Sequence, residues 1–102
     1  MSTLLNEELL SAIPDLYTQE NATDPICHVK LFTPDSNWTW YIIEHSKDDG
    51  DTYFGYVEGL EHELGYFTLS ELESIKGKLG LSIERDTSFT PALLSKVKGA
   101  RS

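Results

Sequence analysis

Apolar positions fall on every second residue from Ile26 to Phe32, where Cys27, Val29 and Leu31 alternate with His28 and Lys30. That period predicts a strand with one face in a core. Residues 38–43 read Trp-Thr-Trp-Tyr-Ile-Ile, almost all aromatic or β-branched, which predicts a strand covered on both faces. Thr33-Pro34-Asp35-Ser36-Asn37 between them is turn chemistry: proline presets φ, and the short polar side chains bond nearby backbone. Lys47-Asp48-Asp49-Gly50-Asp51 predicts a hairpin loop, with 52–57 returning antiparallel. If Ser46 lies opposite Thr52, Trp38, Trp40, Ile42 and Glu44 share one face with Phe54, Tyr56 and Glu58. Tyr41, Ile43 and His45 then share the other with Tyr53 and Val57. Trp38 and Trp40 are expected on one side of a central strand, at least one of them buried.

Helical signals flank this β pattern. Asn6 is a good N-cap, Glu7 and Glu8 suit the positive end of the helix dipole, Leu5 can staple to Leu10, and Pro14 ends the helix. Leu16 and Tyr17 are expected to fold back onto the core, and 18–25 to form a polar connector. A short strand through Gly65-Tyr66-Phe67 leads into a second helix with two competing capping boxes, Thr68 with Glu71 and Ser70 with Glu73. Thr68 is preferred because Phe67 and Leu72 then stand where a hydrophobic staple needs them. Gly77 or Gly80 should close that helix. Residues 81–89 predict a last strand, and Thr90-Pro91 a terminal helix with proline at its first position, frayed from Gly99 to Ser102. The expected fold is α+β: one domain with an antiparallel sheet of four or five strands and two or three short helices.

Composition agrees with one domain. The chain has 102 residues, and eleven aromatics supply enough large side chains for a core. No apolar run is long enough to span a membrane, and MSTLLNEELL lacks the basic start of a signal peptide, so the protein is expected in the cytosol of its producing cell. The single cysteine, Cys27, excludes an internal disulfide and a Cys-rich zinc site, and reads as a small buried hydrophobe. Charge is more informative. Seventeen acids face eight bases, a net of −9; residues 1–75 hold fifteen of the acids with only Lys30 and Lys47. Such a field repels phosphate backbones and attracts basic surfaces.

Catalytic signals are weak. Aligning Gly50 with the sixth position of a calcium loop puts His45, Lys47 and Tyr56 where ligands belong, so Asp48-Asp49-Gly50-Asp51 reads better as a solvated loop. His28, His45 and His62 fit no zinc spacing, Glu61-His62-Glu63 reads as a surface turn, and no phosphate or dinucleotide glycine pattern occurs. Trp38, Trp40, Phe54 and Tyr56 would suit base stacking, but acids surround them, so a covered core is preferred and direct nucleic-acid binding is not expected. No cofactor or metal is implied. The densest acidic segment holds Glu44, Asp48, Asp49, Asp51, Glu58, Glu61 and Glu63, and these are the candidate partner-binding residues. Trp38, Trp40 and Thr68 are read as structural.

Phe32-Thr-Pro-Asp-Ser-Asn-Trp-Thr-Trp-Tyr41 resembles the signature of a family of short proteins of unknown function found on bacterial plasmids, integrative elements and phage. So do Phe54-Gly55, Glu63-Leu64-Gly65-Tyr66-Phe67, Leu69-Ser70-Glu71-Leu72, Gly80-Leu81 and Ile83-Glu84-Arg85-Asp86. The match runs from about Leu16 to Phe89. A type II-A anti-CRISPR protein is similar to this family. The resemblance therefore implies a non-catalytic inhibitor that binds a basic surface of an RNA-guided DNA nuclease. The alternatives are an accessory or adaptor protein of mobile elements with another protein partner, and a small metal-dependent hydrolase.

Overall fold

The computed structural model describes residues 4–18, 23–77 and 79–101. Its elements are α1 (Glu7–Ala12), β1 (Ile26–Cys27), β2 (Val29–Phe32), β3 (Thr39–His45), β4 (Thr52–Glu58), β5 (His62–Thr68), α2 (Leu69–Ser74), β6 (Glu84–Arg85), β7 (Ala92–Leu93) and α3 (Leu94–Arg101). Five strands form an antiparallel sheet in the order β5-β4-β3-β2-β6, and β1 pairs with β7 in a second, two-stranded sheet. The protein is α+β.

The helix starts follow the capping chemistry. Asn6 Oδ1 accepts the Leu9 N–H at 2.8 Å, and Thr68 exchanges bonds with Glu71 in a complete capping box. Both helices end on an extended residue, Ile13 and Ile75, so α2 stops before either expected glycine. Gly80 takes a positive φ of 80° in the turn that follows. Lys47 replaces a C-terminal cap for α1: its Nζ donates to the carbonyls of Leu10 and Ile13, each at 2.9 Å.

Two apolar layers lie on opposite sides of the large sheet. Leu4, Leu5, Ile13, Leu72 and Ile83, from the α1 and α2 sides, pack on a face carrying Val29, Leu31, Trp40, Ile42, Tyr53 and Phe67. Leu94 and Val97 of α3 cover Cys27, Tyr41, Ile43 and Tyr56 on the other. A bulge at Ile43 decides which residues share a face. Ser46 does bond Thr52, and Glu44↔Phe54 and His45↔Tyr53 follow the expected register. Beyond the bulge the partners shift by one, to Ile42↔Gly55, Tyr41↔Tyr56 and Trp40↔Val57. Trp40 is therefore across from Val57, and Phe54 and Tyr56 lie on the opposite face, which removes the expected four-aromatic platform. Gly55 belongs to this bulge, because a Cβ there would collide with the Tyr41 carbonyl. Trp38 and Trp40 do stack on one side of the central strand, centroids 5.9 Å apart; Trp40 is 5% exposed and Trp38 37%. The Trp38 ring rests on Gly59, where a Cβ would strike it.

Other expectations are corrected. The predicted 26–32 strand breaks at His28, and its two parts serve different sheets. Tyr17 does not fold onto the core: it is exposed, with φ at +70°. The connector expected at 18–25 lies partly outside the described residues. The strand expected around 65–67 is seven residues long and absorbs His62 and Glu63 from the expected turn. Of residues 81–89 only Glu84 and Arg85 pair as a strand. Pro91 does not open the last helix. Ala92 and Leu93 pair with β1, and α3 spans Leu94–Arg101. Its first turn is bonded from afar: Asp24 accepts the Ser95 N–H at 2.8 Å and its hydroxyl at 2.6 Å.

Candidate partner-binding surface

The seven acidic candidates do not form one surface. Glu44 and Glu58 are buried, Glu44 accepting the Tyr17 N–H at 3.0 Å. They share a sheet face but sit four strand positions apart along β4, roughly 13 Å. Neither belongs to an exposed partner surface, which corrects the expectation for both. The apolar neighbours Ile42 and Ile43 beside Glu44 were the available signal for its burial.

Asp48, Asp49 and Asp51 lie in the β3–β4 turn, where only Asp48 projects without a bond among the described residues. Asp49 Oδ1 accepts the N–H groups of Asp51 and Thr52 at 2.7 and 2.9 Å, and Oδ2 the Thr52 hydroxyl at 2.7 Å. These donors, the Asp51 N–H first, hold the Asp49 pKa down to about 2. Asp51 reaches across to α2: its carboxylate accepts the Ser70 N–H at 3.0 Å and the Ser70 hydroxyl at 2.8 Å, and its carbonyl the Leu69 N–H. The loop expected to be ordinary solvated surface instead ties β4 to the helix that follows β5. Two carboxylate bonds to Ser70, the residue of the rejected capping box, were not legible at a separation of nineteen residues.

Glu61 and Glu63 stand at the other end of the hairpin pair, about 20 Å along β4 from the aspartate turn. Both are exposed, and among the described residues neither carboxylate is held in a hydrogen bond or ion pair. Leu60 in the turn is 92% exposed, and Leu64 and Tyr66, 46% and 56% exposed, project from the face of β5 opposite to Glu63. Tyr66 packs its ring against Phe54 at 5.0 Å, so apolar surface continues from the edge strand onto β4. Apolar exposure rimmed by like charge is the composition of an interface.

Several of the bases are drawn into local contacts. Lys30 pairs with Asp86 at 3.6 Å, Arg85 donates to the Leu4 carbonyl at 2.8 Å, Lys76 bonds Ser82, and Lys98 lies over the Tyr56 ring at 5.4 Å. Seventeen acids against eight bases leave the chain at a net charge of −9.

Catalytic groups are poorly placed. Cys27 is fully buried, and burial pushes its thiol up to about 12, so no thiolate is at hand. Burial also lowers the His28 pKa. Among the described residues no three His, Cys, Asp or Glu side chains are grouped to hold a metal ion. A groove of about 640 Å3 runs between Trp38, Lys30, Glu84 and Asp86. The Phe32–Trp38 signature lines it, but Asp86 is already engaged by Ser88 and Lys30. Elsewhere in the signature, Asp35 Oδ2 accepts the Leu79 N–H at 2.6 Å, and the carboxylate lies against Gly77 with no room for a Cβ. These motif residues build the fold. No helix among the described residues is long and apolar enough to cross a membrane.

Searches of curated proteins and of solved structures find no match to this chain. A family profile does match, over residues 3–98, and the chain belongs to the family described as "Protein of unknown function (DUF2958)".

Proposed function

We propose that this protein acts by binding a basic protein partner, and that the partner is an RNA-guided DNA nuclease whose activity it blocks without catalysis. One observation carries the binding part: at one corner of the sheet the edge strand exposes Leu64 and Tyr66 on one face and Glu63 on the other, with Leu60 and Glu61 exposed in the turn before it. An apolar centre supplies affinity and the acids steer a basic surface towards it. The nuclease identity rests on the resemblance of the Phe32–Tyr41 and Glu63–Phe67 motifs to a family with an anti-CRISPR relative. An RNA-guided nuclease fits the charge, since it holds its nucleic acid in a positively charged channel.

The test is target cleavage by a type II-A nuclease–guide complex with and without the protein, beside a Glu61→Gln/Glu63→Gln/Leu64→Ala variant. Inhibition by the parent, weakened in the variant, supports the proposal. Full cleavage at saturating protein removes the nuclease. Recovery of a different stable basic partner from host lysate then favours the accessory-protein reading.

A further inference from the structure

β5 closes one edge of the five-stranded sheet, with β4 on its inner side and no strand among the described residues on its outer side. The hydrogen-bond phase of this edge can be read from its ends. Leu69 N–H donates to the Asp51 carbonyl and Gly59 N–H to the Glu61 carbonyl, and both are directly opposed pairs of the β4–β5 ladder. Opposed pairs alternate between bonded and non-bonded, so the odd-numbered residues of β5 face β4. His62 and Leu64 therefore turn their N–H and C=O towards the open side.

Exposed edges are usually protected by shortness, lysine, proline or a bulge. This one is seven residues long, regular in register, and contains no lysine, arginine or proline. It also contains a glycine that the chain's own packing does not explain. Gly55 is required by the Tyr41 carbonyl, but a Cβ on its partner Gly65 would meet nothing within 4 Å. Glycine inside a strand weakens it and marks places where another chain comes close.

We infer that β5 is a strand-addition site: an extended segment of a basic partner pairs antiparallel with the His62–Gly65 part of its edge, with apolar and basic side chains alternating along it. The phase sets the pattern. A residue opposite Leu64 projects beside Leu64 and Tyr66, where an apolar side chain continues their surface. A residue opposite Gly65 projects on the other face, where a lysine or arginine stem lies in the space above Gly65 and its cation reaches the diagonal neighbour Glu63. A second copy of this chain fits less well. Pairing about Gly65 puts Gly65 opposite Gly65 and offers Glu63 no cation. The inference deepens the reading of the protein as a binder of a basic partner and rests on it.

The test uses the full chain and a fluorescent eight-residue peptide of alternating valine and lysine, in three forms: unmodified, N-methylated at each valine, and N-methylated at each lysine. Charge and side chains are the same in all three. With valine opposite Leu64, the valine amides face β5. The valine-methylated peptide should bind about tenfold or more weakly than the unmodified one, while the lysine-methylated peptide keeps its affinity. Amide exchange at His62 and Leu64 should slow in the complex. Equal binding by all three forms overturns strand addition and leaves a basic partner for the acidic surface in place. No binding by any form overturns it too, as does slow exchange at these amides in the protein alone through self-association. Failure of the nuclease reading shows separately, as undiminished cleavage by a protein that still discriminates the peptides.

Discussion

The two turns of the β3–β4–β5 meander are both rich in acids, and they use them in opposite ways. In the β3–β4 turn the carboxylates point inward: Asp49 organises the turn, and Asp51 holds the first turn of α2. In the β4–β5 turn and the start of β5, Glu61 and Glu63 are exposed instead. Side-chain length and neighbourhood explain the difference. Aspartate is short enough to bond its own backbone two or three residues on, and Gly50, at φ 69°, lets the loop curl beneath it. α2 also begins beside that turn and offers free N–H groups. No helix start lies beside the other turn, and glutamates on an edge strand reach solvent. A run of acids in a sequence is thus not one surface; the same charge is structural at one end of a strand and available at the other.

The core beneath both turns sets the scale for separating them. Trp40→Ala should cost about 3–5 kcal/mol of a total near 5–15 kcal/mol, read by urea unfolding, and Trp38→Ala clearly less because part of that ring is already in water. If the two variants unfold alike, the stacked pair acts as one unit and the burial difference between them is energetically empty. Next, Asp51→Ala should cost about 0.5–2 kcal/mol, as loss of a helix cap does, and Thr68→Ala a similar amount. An Asp51→Ala protein that unfolds like the parent would make the β3–β4 turn as free as the other and erase the contrast.

Acid should loosen the β3–β4 turn. The Asp49 pKa is held near 2 against an ordinary 3.8. Its contribution is complete above pH 4 and is lost as pH falls from about 4 through 2. Melting temperature should decline over that range, and Asp49→Ala, already lower at pH 7, should decline less. A variant with the parent's full slope would assign the acid sensitivity elsewhere. The smallest effect belongs to the other turn. Glu61→Gln with Glu63→Gln should leave stability within about 0.5 kcal/mol while flattening the salt dependence of partner association. A large loss of stability there would mean that the turn is built, not displayed.

Features with local causes were legible in the sequence. Asn6 and Thr68 cap because their own side chains reach the first helical N–H groups, and the alternation from Val29 to Phe32 is a property of one segment. The register of β3 and β4 was not legible. Every residue from Thr39 to Ile43 suits either face, so polarity cannot announce a bulge; the clue was Gly55, whose meaning depends on a carbonyl fourteen positions away. β7 is two residues long, too short to show a period, and α3 is capped by Asp24 from seventy-one positions away in the chain. In the candidate site, Glu61 and Glu63 were recoverable from charge. Leu60, Leu64 and Tyr66 count as exposed only once β5 is known to be an edge.

The break at His28 has a consequence for synthesis. Residues 24–27 find their partners in residues 92–95, through the Ile26↔Leu93 pairing and the Asp24–Ser95 bonds. A ribosome adding about 5–20 residues per second delivers those partners roughly 4–14 s after residues 24–27 are made. Until then β2 to β5 can close their meander, but the face bearing Cys27, Tyr41, Ile43 and Tyr56 has no α3 to cover it. The nascent chain therefore passes through a half-covered stage, and that interval is when a chaperone has an apolar sheet face to hold.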